Sequence, residues 1–194
     1  MSGTELEKGV GSILVGEDEL QARVRELGHE ISEDYAGREL LLVGVLKGAA
    51  ILLADLARAV QGVDVAVTCV AISRFAPDSG RVRILHDLDL DVTDRDVVLV
   101  EDLVDTGLTA DFLIRTLRER GARSVSMCAL LDRSVRRIVP LDVRYRGVEV
   151  DGSFIVGYGL HVHDRYRNLP DIHVVDRATL DADPDAYVTH FHGV

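Results

Sequence analysis

D-V-V-L-V-E-D-L-V-D-T-G-L-T, Asp96 to Thr109, is the stretch whose reading decides the fold of this 194-residue chain. Val97 to Val100 form a continuous apolar run that ends in two adjacent carboxylates, Glu101 and Asp102. A run with no polar alternation suits a strand buried on both faces, as in a parallel sheet. Asp105-Thr106-Gly107-Leu108-Thr109 then leads into a segment of helical spacing. There Leu113, Ile114 and Leu117 face inward, and Arg118, Arg120 and Gly121 supply stop signals. A strand-to-helix turn of this kind lies at the carboxyl end of a sheet, where open α/β folds bind ligands. Ionised carboxylates accept hydrogen bonds and donate none, so Glu101 and Asp102 suit vicinal hydroxyls or a divalent cation. Amides and hydroxyls at a helix start suit an anion. A diol beside a phosphate describes a ribose 5-phosphate. The competing reading makes Glu101 and Asp102 a solvated strand end and Asp105 a helix cap.

Outward from this stretch, strands and helices alternate. Leu20, Val24, Leu27 and Ile31 recur at helical intervals between Asp18 and Tyr35, with Gly37 as a stop. Glu39 to Lys47 reads as a central strand, and Gly48 opens a helix whose inner face is Leu52, Leu53, Leu56 and Val60. Val63 to Ile72 is β-rich, Arg74 to about Arg81 is a loop, and Val82 to Leu85 is a short returning strand. Asp87, Asp89, Asp91 and Asp94 alternate, but no glycine and closing glutamate complete a calcium loop. Ser124 to Leu131 and Leu141 to Val148 are further strands, and Phe154 to Leu160 is a strand entering a glycine-containing loop. The tail, with His190 and His192, reads as a frayed terminus. The alternation predicts an α/β fold with a mainly parallel sheet, and with no linker in view residues 1–194 are expected to form a single domain.

A net charge of −11 argues against nucleic-acid or anionic-membrane partners, which call for a basic surface. No run reaches the ~18 apolar residues of a membrane helix, and the start lacks a secretory pattern. The expected location is cytoplasmic. Cys69 and Cys128 lie within apolar runs, as buried thiols do. Neither the phosphate-binding pattern G-x-x-x-x-G-K-[ST] nor the dinucleotide pattern G-x-G-x-x-G occurs. Aspartic proteases use two Asp-Thr-Gly segments in a β-rich setting, whereas the one here precedes a helix.

Taken whole, V-V-L-V-E-D-L-V-D-T-G-L-T resembles the phosphoribosyl pyrophosphate signature of type I phosphoribosyltransferases. L-V-G-V-L-K-G at Leu42–Gly48, R-I-L-H-D-L-D at Arg83–Asp89, F-I-V-G-Y-G-L at Phe154–Leu160 and R-Y-R-N-L-P at Arg165–Pro170 resemble the hypoxanthine-guanine branch in the same order. The resemblance runs from about Ile13 to Val175. It implies a parallel-sheet core flanked by helices, with a small hood built from terminal segments. It further implies that Glu101 and Asp102 hold ribose hydroxyls and magnesium, and that Asp105, Thr106, Gly107, Leu108 and Thr109 bind the 5-phosphate. By the same likeness Asp105 is the general acid/base, and Lys47, Gly48 and Arg167 bind pyrophosphate, the Lys47 turn through a non-proline cis peptide. Arg133, Phe154 and Ile155 would meet the base. The implied partners are phosphoribosyl pyrophosphate and a purine-type base, in a homodimer or homotetramer.

Three positions depart from the family pattern. Arg133 stands where lysine is usual, His161 where aspartate is usual, and Ser73-Arg74-Phe75 where Ser-Tyr is usual. Arginine's planar fork aims differently from a lysine ammonium, and histidine does not replace a negative charge near a metal. The implied activity is phosphoribosyl transfer to a 6-oxopurine of the hypoxanthine/guanine type in purine salvage. The alternatives are transfer to a different or modified base, and a non-catalytic phosphoribosyl pyrophosphate-binding regulator.

Overall fold

Uninterrupted apolar runs become the central strands of a six-stranded sheet. The computed structural model describes residues 11–73 and 82–192. In chain order the elements are β1 (Ile13–Val15), α1 (Glu17–Asp34), β2 (Glu39–Leu46), α2 (Ala50–Ala59), β3 (Asp64–Ser73), β4 (Arg83–His86) and β5 (Asp96–Val104). Then come α3 (Leu108–Glu119), β6 (Ser124–Asp132), β7 (Tyr145–Glu149), β8 (Ile155–Val156), β9 (Ile172–Val174), α4 (Arg177–Ala182) and α5 (Val188–His192). Two compact units result: a larger one from Ala22 to Gly152, and a smaller one from the terminal segments, up to Gln21 and from Ser153 onward.

The sheet of the larger unit has the order β4-β3-β2-β5-β6-β7. It is parallel except for β4, which returns antiparallel along β3. β5 lies between β2 and β6, so both its edges are hydrogen-bonded, and Val97, Val98, Leu99 and Val100 are wholly buried. Leu41, Val43, Val45, Val97, Leu99, Met127 and Ala129 share one core cluster with Ala110, Leu113, Ile114 and Leu117 of α3. Each such fully buried leucine or isoleucine stabilises the fold by about 1.5–3 kcal/mol relative to exposure. At the amino end of β5 the buried Asp96 accepts from Ser124 Oγ at 2.5 Å and faces Arg38 and Arg123 at 3.4 and 3.5 Å. That carboxylate is structural, and the two acids at the other end of the strand stand in contrast to it.

The smaller unit is an antiparallel sheet, β1-β9-β8, over a core of Val156, Val162, Tyr166, Leu169, Val175 and Leu180. The expected frayed tail is instead folded. Asp176 caps α4 by accepting from Thr179 N at 2.7 Å, and Leu180 is wholly buried. Phe191 stacks on Tyr187 with centroids 5.6 Å apart and meets Tyr166 edge-on, while His190 Nε2 lies 3.0 Å from the Gly11 carbonyl oxygen. Helices of five and six residues are too short to show a period, which hid them from pattern reading.

Other expectations shift. The strand expected at Leu141 begins at Tyr145, because Leu141 and Val143 join the core from a loop that follows Pro140. Within Phe154–Leu160, read as a strand entering a glycine-containing loop, the strand is Ile155–Val156 and the loop begins at Gly157, which turns the chain at φ 107°. The acidic connection is locally satisfied: Asp87 binds Arg120 through both oxygens, Asp89 accepts from Thr68, and Asp91 accepts from Thr93. Cys128 is buried, which pushes its thiol up to about 12, while Cys69 is only half-buried. The expected loop from Arg74 to Arg81 lies outside the described residues. No helix among the described residues is long and apolar enough to cross a membrane.

Candidate active site

Adjacent residues on a strand point to opposite faces, so Glu101 and Asp102 leave β5 on opposite sides. Glu101 lines the cleft in front of Asp105–Thr109. Asp102 lies against the turn after β2: a Cβ added to Gly48 would stand 1.8 Å from Asp102 Oδ2. Only glycine lets that turn approach the carboxylate. Asp102 Oδ1 accepts from the Leu103 amide at 2.9 Å, and the Leu46–Lys47 peptide is cis, as the resemblance implied. The two acids are 3% and 5% exposed, so each faces its own loop in a largely dry setting.

The turn after β5 enters α3 through Gly107, which occupies the cap position at φ 84° and offers no side-chain oxygen to the first amides. Thr106 Oγ1 is 3.5 Å from Leu108 N. The alternative in which Asp105 caps the helix is therefore not what forms. The Asp105 carboxylate instead faces Arg136 Nε at 3.4 Å and Arg133 Nη1 at 3.8 Å. The chain after β6 braces the turn, with Ile138 N and Val139 N donating to the Thr106 carbonyl at 2.9 and 3.3 Å. The cleft is about 610 Å³, and Glu101, Asp105–Thr109, Arg115 and Arg136 are among its walls. Amides at a helix start, flanked by hydroxyls and a cation, can cradle a phosphate.

Arg133 is 5% exposed. Its Nε donates to the Asp151 carbonyl at 2.6 Å and its backbone amide to Val104 at 2.9 Å, so the buried guanidinium is held in place. Sequence reading missed the neighbours of Arg133. Asp132, 1% exposed, pairs with Arg137 and with Arg146 Nε at 2.8 Å, and Arg136 reaches the cleft. The available signal was the density of cations in D-R-S-V-R-R directly after a strand end.

The remaining expected site residues belong to the smaller unit. Phe154 carries the Arg177 guanidinium 5.3 Å above its ring and accepts from Val175 N at 2.9 Å through its carbonyl. Ile155 is buried and pairs with Val174. Arg167 donates to the Gly159 carbonyl at 2.5 Å and to Asp164 at 2.9 Å. His161 Nδ1 accepts from the Asp164 amide at 3.0 Å, and His163 Nε2 lies 4.0 Å from Asp181, so the two histidines have separate local partners. Among the described residues no group of three His, Cys, Asp or Glu could hold a metal ion. The structure thus joins Glu101, Asp105–Thr109 and Arg133 in one region and sets Asp102 against the Lys47–Gly48 turn, while Phe154, Ile155 and Arg167 lie in the other unit.

A mostly parallel sheet with two strand-end acids followed by a strand-to-helix turn is the arrangement of a type I phosphoribosyltransferase fold. The chain belongs to the phosphoribosyl transferase domain family, which it matches over residues 16–163. It is 42% identical over 176 residues to a hypoxanthine-guanine phosphoribosyltransferase of Mycobacterium avium, covering 86% of each protein. The crystal structure of a hypoxanthine-guanine phosphoribosyltransferase from Bacillus anthracis, with HEPES in its active site, superposes with a TM-score of 0.82 at 36% identity. That match covers 85% of this chain and 98% of the other. A hypoxanthine phosphoribosyl transferase of Trypanosoma cruzi, solved in work on how its C-terminal region affects oligomeric state and activity, gives a TM-score of 0.83 at 34% identity, covering 92% and 97%.

Proposed function

We propose that this chain transfers the phosphoribosyl group from phosphoribosyl pyrophosphate to a 6-oxopurine of the hypoxanthine/guanine type, releasing pyrophosphate, in purine salvage. The observation that carries this reading is the end of β5, where Glu101 and the Asp105–Thr109 turn line one cleft and Asp102 meets the Lys47–Gly48 turn. The turn amides and threonine hydroxyls hold the 5-phosphate. Glu101 and Asp102 accept from the ribose hydroxyls, and their oxygens suit magnesium, a hard cation that favours carboxylates. When bound, magnesium offsets charge on the departing pyrophosphate. The Lys47–Gly48 turn and Arg167 orient that pyrophosphate, and Phe154 with the backbone of Ile155 presents the base.

Displacement occurs at the anomeric carbon, with a base nitrogen attacking as the bond to pyrophosphate weakens. Asp105 exchanges a proton with N7 of the purine, a general acid/base role. Arg133 donates to the 6-oxo group. Because its guanidinium is tethered to Asp151, a modified base is a second reading that this geometry favours. The enzyme works in the cytoplasm as a homodimer or homotetramer of one functional domain spanning residues 1–194, with neither nucleic acid nor membrane as partner. The test incubates the protein with phosphoribosyl pyrophosphate, magnesium and single bases, and follows pyrophosphate release. Turnover with hypoxanthine or guanine is expected. Turnover with another base alone selects the second reading, and donor binding without turnover marks a regulator.

A further inference from the structure

The Asp105–Thr109 turn contains no cation, with leucine at position 108, yet it is proposed to hold a phosphate that carries about −1.5 to −2 charge. Compensation must come from outside the turn. Among the described residues lining the cleft, the acids are Glu101 and Asp105, and the cations are Arg115 and Arg136. Arg115 is committed along its own helix, with Nη2 2.7 Å from Asp111 Oδ2. Arg136 faces the turn itself, and its Nε stands 3.4 Å from Asp105 Oδ1. The Arg136 side chain is 54% exposed and makes no hydrogen bond to the buried Oδ1 at that distance, so the contact is loose and easily exchanged.

We propose that Arg136 is the cation of the 5-phosphate subsite, and that an arriving phosphate draws it off Asp105. The inference rests on the phosphoribosyl reading above and adds a residue and a coupling to it. A phosphate offers three acceptor oxygens and more charge than a carboxylate, and the guanidinium fork binds it through two parallel bonds. The backbone holds Arg136 within reach. Its amide donates to the Arg133 carbonyl at 3.1 Å, and the next turn is bonded to Thr106, so the guanidinium is anchored beside the cradle. The exchange alters only one oxygen of Asp105. Oδ1 loses Arg136, while Oδ2 keeps the buried Arg133 at 3.8 Å. Donor binding therefore releases one oxygen of the acid/base residue before the purine arrives, and the other oxygen keeps the carboxylate oriented.

Calorimetric titration of the full chain tests both halves, with inosine 5′-monophosphate, inosine and ribose 5-phosphate as probes. Arg136→Gln is expected to weaken the monophosphate about tenfold to a hundredfold, the loss of the charge-assisted contact, and to leave inosine unchanged. Arg136→Lys should recover part of that loss. An unchanged monophosphate affinity, or equal losses for monophosphate and nucleoside, overturns the assignment. For the exchange, Asp105→Asn should tighten ribose 5-phosphate by a few-fold in the wild-type background and by clearly less beside Arg136→Gln. The same effect in both backgrounds overturns the coupling. Failure of the unmutated protein to bind any 5-phosphate ligand sinks the phosphoribosyl reading as well, whereas failure confined to the Arg136 comparison sinks this proposal alone.

Discussion

The end of β5 and the stretch from Gly157 to Leu169 both carry expected site residues, and they are held by different means. At β5 the backbone is locked by ladders on both edges, with Gly44 opposite Val100 and Glu101 opposite Ala129. Strand alternation then decides which loop each acid faces. From Gly157 to Leu169 there are only isolated bridges, and Tyr158, His163, Asp164 and Tyr166 take left-handed backbone conformations, as do Gly157 and Gly159. Shape there depends on side chains bonding to backbone, above all Arg167 to Gly159. The difference teaches that a ladder-held site can change its chemistry without losing its shape. A turn-held site cannot separate the two.

The largest expected effect tests the first half of that contrast. Asp105→Asn removes the ionisable group and keeps its size, so kcat should fall by about 10²–10⁴-fold with little change in melting temperature. A comparable loss of stability would show that Asp105 serves the geometry of the turn. Gly48→Ala should come next, because the new Cβ collides with Asp102 Oδ2 and the turn must shift. A displacement of that order costs kcat/KM about 10²-fold, with the sheet signal in circular dichroism preserved. Unchanged kinetics would mean that Asp102 yields without consequence.

The second half predicts a loss of stability. A Cβ on Gly157 would stand 2.0 Å from the Asp171 carbonyl oxygen, at a φ of 107° that L-residues rarely adopt. Gly157→Ala should therefore destabilise the smaller unit by roughly 3 kcal/mol, read in chemical denaturation. An unaltered midpoint would credit β8 and β9 with holding the turn. The smallest effect is on pH. Burial holds His173 below its ordinary 6.5, with nearby Asp171 pulling the other way. The unfolded chain then binds the extra proton more readily than the folded one. Stability from this residue is full above 6.5 and is lost as pH falls through the depressed folded value. His173→Gln should remove that slope from pH-dependent melts, and an identical slope would assign it to other groups.

Much of this was legible in the residues. The apolar runs between Glu39 and Lys47 and from Val97 to Val100 announced buried strands because a strand covered on both faces has no polar position to spare, and helical spacing marked α1 and α3. The tail was illegible because α4 and α5 are too short to repeat a pattern, and Phe191 is held against Tyr166 and His173, contacts distant in sequence. Leu141 and Val143 misled for the related reason that an apolar pair can serve the core from a loop. Arg136 carries no local signal of a role, and only the fold sets it beside Asp105.

By itself, the sequence determined the central strands, the acids that end β5 and the cation-free turn beyond them, since each follows from local periodicity and backbone preference. The tertiary structure alone decided which loop each acid faces, that Arg133 is buried against Asp105, and that Arg136 stands beside Asp105 at the cleft. Those outcomes depend on which strands lie side by side and on where the chain after β6 returns, and no local pattern encodes such long-range pairings.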